Sequence, residues 1–286
     1  MPVSARKPLK WACGRKAIML IDTPLVMGIL NVTTDSFSDG GRFINTSAAI
    51  KHGVQMAGEG ADILDVGGES TRPGSAGVSL KEELRRVIPV ISKLRSETDA
   101  LISIDTRKSE VAKAALDAGA DIINDVSAMT ADPAMAEVVA GSEAGVILMH
   151  MKGTPADMQK DPSYRNVVRE VVAYLKARLA ASAKHGIDRE RIAIDPGLGF
   201  GKNTEHNLKL ITALGTIRTL RRPVVIGISR KRTIGAITGR ESDDRMAGSL
   251  AAHAYCAMNG ADILRVHDVR ETVDAIKVLI AIREAK

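Results

Sequence analysis

Eight short apolar runs in the sequence each end on a polar side chain. The runs are LVMGILNV, DILDVGG, LISID, DIINDV, GVILMH, IAIDPG, VVIGIS and DILRVH. Their polar ends are Asn31, Asp65, Asp105, Asn124 with Asp125, His150, Asp195, Ser229, and Arg265 with His267. For any one of them, capping the next helix is the simpler explanation. Capping does not account for the set, because Asn, His and Arg are mixed into the same register. Asp105, Asn124 and Asp195 are rich in acceptors and belong to three different runs, and Asp195 stands on a stiff Pro196-Gly197 turn. A buried carboxylate needs donors, and a flat heterocycle with a guanidine-like edge offers two parallel N–H groups. Lys231, Arg265 and His267 are the opposite set, cationic or donor-rich and suited to phosphate oxygens. Asn31 adds a neutral oxygen compatible with Mg²⁺, which keeps most of its waters. The residues therefore imply a polar heterocycle carrying a phosphate-type group.

These side chains converge only if the runs form one sheet. The runs are rich in β-branched residues and too short for helices, so they read as strands. Apolar on both faces, they suit a parallel sheet covered on both sides. Between them, TSAAIKHGVQMAGEGA, SEVAKAALDAGA and the segments around 163–186 and 243–260 carry helical spacing. GADILDV, GADIIND and GADILRV repeat one helix stop and strand start, with Gly60, Gly119 and Gly260 as left-handed caps. Eight strands with seven crossovers and a final helix predict an α/β fold, a (β/α)₈ TIM barrel, spanning residues 1–286 as one domain. A doubly wound sheet is the alternative, but no G-x-G-x-x-G follows a strand. PGLGFGKN lacks the spacing and the Ser or Thr of a phosphate-binding loop. Residues 1–24 precede the first barrel strand and are expected to form a hairpin over the barrel bottom, with Trp11 inward. The strand-end groups then share the C-terminal rim, where such barrels place their active sites.

Composition narrows the partners. Aromatic residues are 2% of the 286, so the core is built of Ile, Val, Leu, Ala and Met, and no stacking platform for single-stranded nucleic acid is expected. The formal charge of +6 is mild, and its basic residues are spread out apart from Arg6, Lys7, Lys10, Arg15 and Lys16. It fits an anionic small substrate better than nucleic acid. Cys13 and Cys256 lie in no metal-type spacing and suit a reducing, cytoplasmic compartment. Asp22 and Pro24 interrupt the only candidate leader, and no apolar run approaches a membrane span.

The loops TTDSFSDGG and GGESTRPGSAG, after the first two strands, are glycine- and serine-rich and read as lids. Arg72 beside Pro73, and Phe37 between two serines, are odd choices for solvent-facing turns. In order along the chain, MGILNVTTDSFSDGG, DVGGESTRPG, SIDTRK, INDVSA, VILMHMKGTP, IDPGLGFGK, GISRKR and LRVHDV resemble the motifs of the dihydropteroate synthase family. The resemblance runs from about residue 25 onward. It implies a usually dimeric barrel that joins 6-hydroxymethyl-7,8-dihydropterin diphosphate to 4-aminobenzoate with Mg²⁺ assisting. By the same resemblance, Asp105, Asn124, Asp195 and Lys231 match pterin-binding positions. Asn31, Thr71, Arg265 and His267 match those holding diphosphate and its metal, with Arg265 also against the pterin ring. Phe37, Arg72, Pro73, Phe200 and Lys231 match positions around the aminobenzoate. Asp105 and Asp35 are placed to offset positive charge on the pterin methylene. The expected catalytic set is Asp35, Arg72, Asp105 and Lys231.

Two positions depart from the family pattern. Thr34 stands where proline is usual, which frees a backbone dihedral. Arg232 stands where serine is common, near the expected aminobenzoate carboxylate. Met149 and Met151 either line the ring pocket or pack the core. His150 makes a poor metal ligand, with no second histidine at ligand spacing. A pterin-dependent methyltransferase and a catalytically silent pterin-binding paralogue are the competing expectations.

Overall fold

In the computed structural model, residues 7–32, 42–70, 77–154, 157–160 and 162–285 are described, with 42–45 as backbone only. Two strands, β1 (Leu9–Cys13) and β2 (Lys16–Leu20), pair antiparallel as a hairpin. Eight more follow: β3 (Leu25–Asn31), β4 (Ile63–Gly67), β5 (Leu101–Asp105), β6 (Ile122–Asp125), β7 (Gly145–Met149), β8 (Ile192–Asp195), β9 (Val225–Ile226) and β10 (Ile263–Val266). They are parallel in the order β8-β7-β6-β5-β4-β3-β10-β9. A parallel bridge between Ile194 and Val224 joins the two ends, and the Ile194 N–H donates to the Pro223 carbonyl at 2.8 Å. The sheet is thus a ring of eight, which excludes the doubly wound alternative.

Helices α1 (Arg42–Gly58), α2 (Leu80–Glu97), α3 (Ser109–Asp117), α4 (Met135–Ala140), α5 (Val167–Lys184), α6 (Thr204–Thr212), α7 (Leu214–Ile217), α8 (Arg232–Thr238), α9 (Met246–Asn259) and α10 (Val269–Glu284) return the chain between strands. Periodicity located the helix bodies but not their ends. The crossover before β10 also holds α8, a short helix absent from the sequence-based expectation. Gly60, Gly119 and Gly260 have φ of +102°, +107° and +121°, the left-handed backbone expected where each helix gives way to a strand.

Apolar side chains facing outward from the strands pack against the helices as the main core, for example Leu64, Ile102, Ile123 and Leu148 with Val87, Ile91 and Leu175. The inward side is layered by the two-residue period of a strand. Its floor is Met27, Ile63, Leu101, Ile122, Ile147, Ala193, Val225 and Ile263, packed with Trp11, Cys13 and Leu20 of the hairpin. Trp11 is fully buried and its indole N–H donates to the Arg191 carbonyl at 3.0 Å, which satisfies its polar edge. Cys13 and Cys256 are buried free thiols, and burial pushes both pKa values up, Cys256 to about 12. Two residues beyond the floor, the inward positions become Ile29, Asp65, Ser103, Asn124, Met149, Asp195, Gly227 and Arg265. The barrel changes from oily to polar within one layer.

Candidate active site

Asp65, fully buried, sits at the centre of that polar layer. Its Oδ2 accepts from Arg265 Nε at 2.6 Å and from Asn124 Nδ2 at 3.1 Å. The other arm of the Arg265 guanidinium, Nη2, donates to Asp105 Oδ2 at 2.8 Å. Four side chains from β4, β5, β6 and β10 thus form one hydrogen-bonded unit. Burial opposes the charge of Arg265, but Asp65 and Asp105 outweigh it and hold the guanidinium above its usual value. Burial pushes the Asp105 carboxyl up to about 7 despite Arg265, with Asp65 adding like-charge repulsion. Asp105 Oδ1, Asp65 Oδ1 and Ser103 Oγ are buried with no hydrogen bond among the described residues. Such groups are costly unless a donor reaches them.

The cations do not form a set apart from the acceptors, contrary to the sequence-based division. Arg265 lies among the carboxylates, because an inward arginine in a closed barrel needs its charge matched. Lys231 is reached from the other side. Its ammonium donates to the Leu198 carbonyl and stands 4.7 Å from the centroid of the Phe200 ring. A Cβ on Gly227 would lie 3.9 Å from both Lys231 Nζ and Arg265 Cδ, so the absent side chain leaves the two cations facing one space. Burial lowers the Lys231 pKa to about 8, against the pull of Asp195. Asp195 is raised by burial, opposed chiefly by Lys231. Its Oδ1 accepts from the Gly197 N–H at 2.6 Å, the stiff turn expected from Pro196-Gly197. Asn31 joins from β3: its Oδ1 would lie 3.8 Å, and Asp105 Cβ 3.6 Å, from a Cβ on Gly67.

His267 Nδ1 lies 3.0 Å from Ser229 Oγ, which also accepts from the His267 backbone N–H at 3.1 Å. The turn before Lys231 is pinned by Arg230, at φ +53°. Its backbone N–H donates to Ser249 Oγ at 2.9 Å, and its guanidinium pairs with Asp268. Arg232, at the first position of α8, is exposed and has no hydrogen bond or ion pair among the described residues. Asp35, Phe37, Thr34, Thr71, Arg72 and Pro73 lie outside the described residues.

His150 is not a ligand-in-waiting. Its Nδ1 lies 2.9 Å from Lys202 Nζ, and its ring abuts Tyr174 edge-on at 4.9 Å. Burial first, and Lys202 second, push its pKa down to about 3, so the imidazole is neutral. Among the described residues no three His, Cys, Asp or Glu side chains cluster as a metal site. The sequence reading placed Asp65 among the strand ends but gave it no role, and it passed over Lys202 as a site residue. Counting two residues on from Ile63, a floor position, would have marked Asp65 as inward. Lys202 carries no such signal, because its partners are mostly backbone carbonyls.

A family model described as pterin binding enzyme matches residues 27–267. The dihydropteroate synthase of Escherichia coli (strain K12) is 46% identical over 263 residues, which cover 92% of this chain and 93% of that protein. The one from Neisseria meningitidis serogroup B is 46% identical over 274 residues, 94% of this chain and 95% of that protein. Among solved structures, the Xanthomonas albilineans dihydropteroate synthase with 4-aminobenzoic acid superposes with a TM-score of 0.91 at 49% identity. The match covers 97% of this chain and 99% of that one. The same enzyme in complex with 7,8-dihydropteroate gives 0.87 at 47% identity, over 96% and 98%. With the motifs in order, the barrel closed and its polar layer facing one mouth, the chain belongs to the dihydropteroate synthases of the pterin-binding enzyme family.

Proposed function

We infer that the chain condenses 6-hydroxymethyl-7,8-dihydropterin diphosphate with 4-aminobenzoate, giving 7,8-dihydropteroate and diphosphate. The observation that carries this reading is a single mouth where Asp105 offers an unmatched buried oxygen while Lys231 and Arg265 face each other across Gly227. Asp105, Asn124 and Asp195 accept hydrogen bonds from the guanidine-like edge of the pterin, and Lys231 donates to its acceptors. Arg265 lies against the ring, and with His267 it meets the diphosphate.

In the reaction the bond between the pterin methylene and the diphosphate oxygen breaks, and the electron pair leaves with the diphosphate. The amine nitrogen of 4-aminobenzoate forms the new bond and gives up a proton to solvent. Cations held near the departing oxygens favour charge that develops only in the transition state. Carboxylates beneath the ring offset positive charge on the methylene. A neutral arylamine held in line needs no strong general base. Asn31, with Asp105 beside it across Gly67, fits the sparse protein ligation that Mg²⁺ accepts when phosphates supply the rest. When bound there, Mg²⁺ would neutralise diphosphate charge.

The decisive measurement is diphosphate release from the pterin diphosphate with and without 4-aminobenzoate. Release coupled to dihydropteroate formation supports the synthase. Pterin binding without release would mark a silent paralogue, and methyl transfer from a methylated pterin would mark a methyltransferase. Arg232 lies beside Lys231 and is free to reach an incoming carboxylate. Arg232→Ser is therefore expected to change the order in which sulfonamides inhibit the enzyme. Identical inhibition constants in both proteins would remove that role. The proposed assembly is a homodimer through α9 and α10, whose outer faces expose Tyr255, Met258, Val278 and Ile282.

A further inference from the structure

The segment between β8 and α6, residues 196–203, gives its carbonyl oxygens one after another to side chains. Lys202 Nζ donates to the Gly197 carbonyl at 2.8 Å and to that of Phe200 at 2.9 Å. Lys231 takes the Leu198 carbonyl, Gln159 Nε2 that of Gly199 at 2.5 Å, and the Tyr164 hydroxyl that of Gly201 at 2.8 Å. The backbone turns left-handed at Gly197, Gly199 and Gly201, with φ of +69°, +82° and +65°. Such a path cannot pair with a neighbouring strand, so its buried carbonyls need donors from elsewhere.

Among the described residues, Lys202 is the one side-chain donor that the segment itself supplies to these carbonyls, beside the Phe200 N–H that meets the Gly197 carbonyl at 3.1 Å. Lys202 is only 2% exposed. The same ammonium also meets His150 Nδ1 at 2.9 Å and the His150 carbonyl at 3.3 Å. It therefore bolts the segment to the end of β7. The fit is tight, because a Cβ on Gly197 would lie 1.9 Å from the His150 oxygen. A lysine so deep, with no carboxylate in hydrogen-bond reach among the described residues, is an expensive way to hold a loop. What the loop carries is the Phe200 ring, held against Lys231, whose own ammonium is tied to Leu198.

We propose that Lys202 is a positioning residue for the arylamine. Its buried ammonium shapes the 196–203 segment so that Phe200 and Lys231 form one wall of the mouth. Loss of that ammonium takes a donor from the carbonyls of Gly197, Phe200 and His150 and from the imidazole nitrogen, and the segment relaxes away from Lys231. On the pterin side, Asp105 and Asn124 on β5 and β6 touch neither Lys202 nor the segment and keep their geometry, while Asp195 and Lys231, bonded to Gly197 and Leu198, account for the smaller change expected in pterin binding. The assignment rests on the synthase reading above.

The test is steady-state kinetics of the full-length protein with both substrates varied, for the wild type, Lys202→Met and Lys202→Gln. In Lys202→Met the KM for 4-aminobenzoate is expected to rise about tenfold or more while that for the pterin diphosphate moves by about threefold at most. Lys202→Gln, which keeps a donor without the charge, should fall between it and the wild type. Equal rises in both KM values, or a loss of kcat with both KM values unchanged, would overturn the proposal. So would failure of both variants to fold, since Lys202 would then be a determinant of the fold. A wild type that forms no dihydropteroate refutes the synthase reading itself, a result separable from any effect of the variants.

Discussion

At the scale of single residues, Asp65 decides how the mouth is charged. It anchors both Arg265 and Asn124, so Asp65→Asn leaves the guanidinium with one carboxylate in a site that is only partly wet. Removing one member of a buried ionic set costs roughly 3–5 kcal/mol. Urea unfolding of Asp65→Asn is expected to show a loss of that order, with weaker pterin binding besides. Lys231 sets a pH limit. Its pKa falls from 10.5 to about 8 on folding, so the unfolded chain binds the extra proton between those values. Stability from this group is therefore present above about 10.5 and lost as pH falls through about 8. Activity runs the other way, because the charged form is the useful one. A profile of kcat/KM for the pterin diphosphate should decline above about pH 8, and a flat profile to pH 10 would remove Lys231 from substrate binding. Asp105, Asn124, Asp195 and Arg265 were legible in the sequence because each ends or nearly ends an apolar run. Asp65 ends one too, but its weight comes from the partners that closure brings together, and no run by itself reveals closure.

At the scale of elements, the strands were readable and the connections only partly so. Short apolar runs rich in β-branched residues leave little choice of conformation. The segments after β8 and β9 carry glycines, short helices and side-chain-to-carbonyl bonds, none of which has a period. The β1–β2 hairpin is the clearest case of an element serving another. Trp11 completes a floor made by all eight barrel strands and ties itself to Arg191 just before β8. Trp11→Ala is expected to cost about 3–5 kcal/mol, the range for emptying a large buried aromatic site. Thermal unfolding should reveal it, with KM values nearly unchanged, because the floor lies a full layer beneath the acceptors. A large rise in KM without loss of stability would mean that the hairpin reaches the chemistry directly.

At the scale of the whole molecule, the apolar residues left on α9 and α10 bear on assembly. Met258 is 46% exposed and Ile282 64%, and with Tyr255 and Val278 they gather exposed apolar side chains on two helices that pack against each other. Sedimentation of the wild type should give a dimer, and the double substitution Met258→Glu with Ile282→Glu should give a folded monomer. A dimer that survives both changes places the contact elsewhere. The tryptophan-sealed floor has a consequence for traffic. A barrel shut at its base is a cul-de-sac, so whatever rests on strand residues such as Asn124 lies behind whatever rests on loop residues such as Phe200. The outer occupant bars the way of the inner one, and the last guest to arrive has to be the first to go.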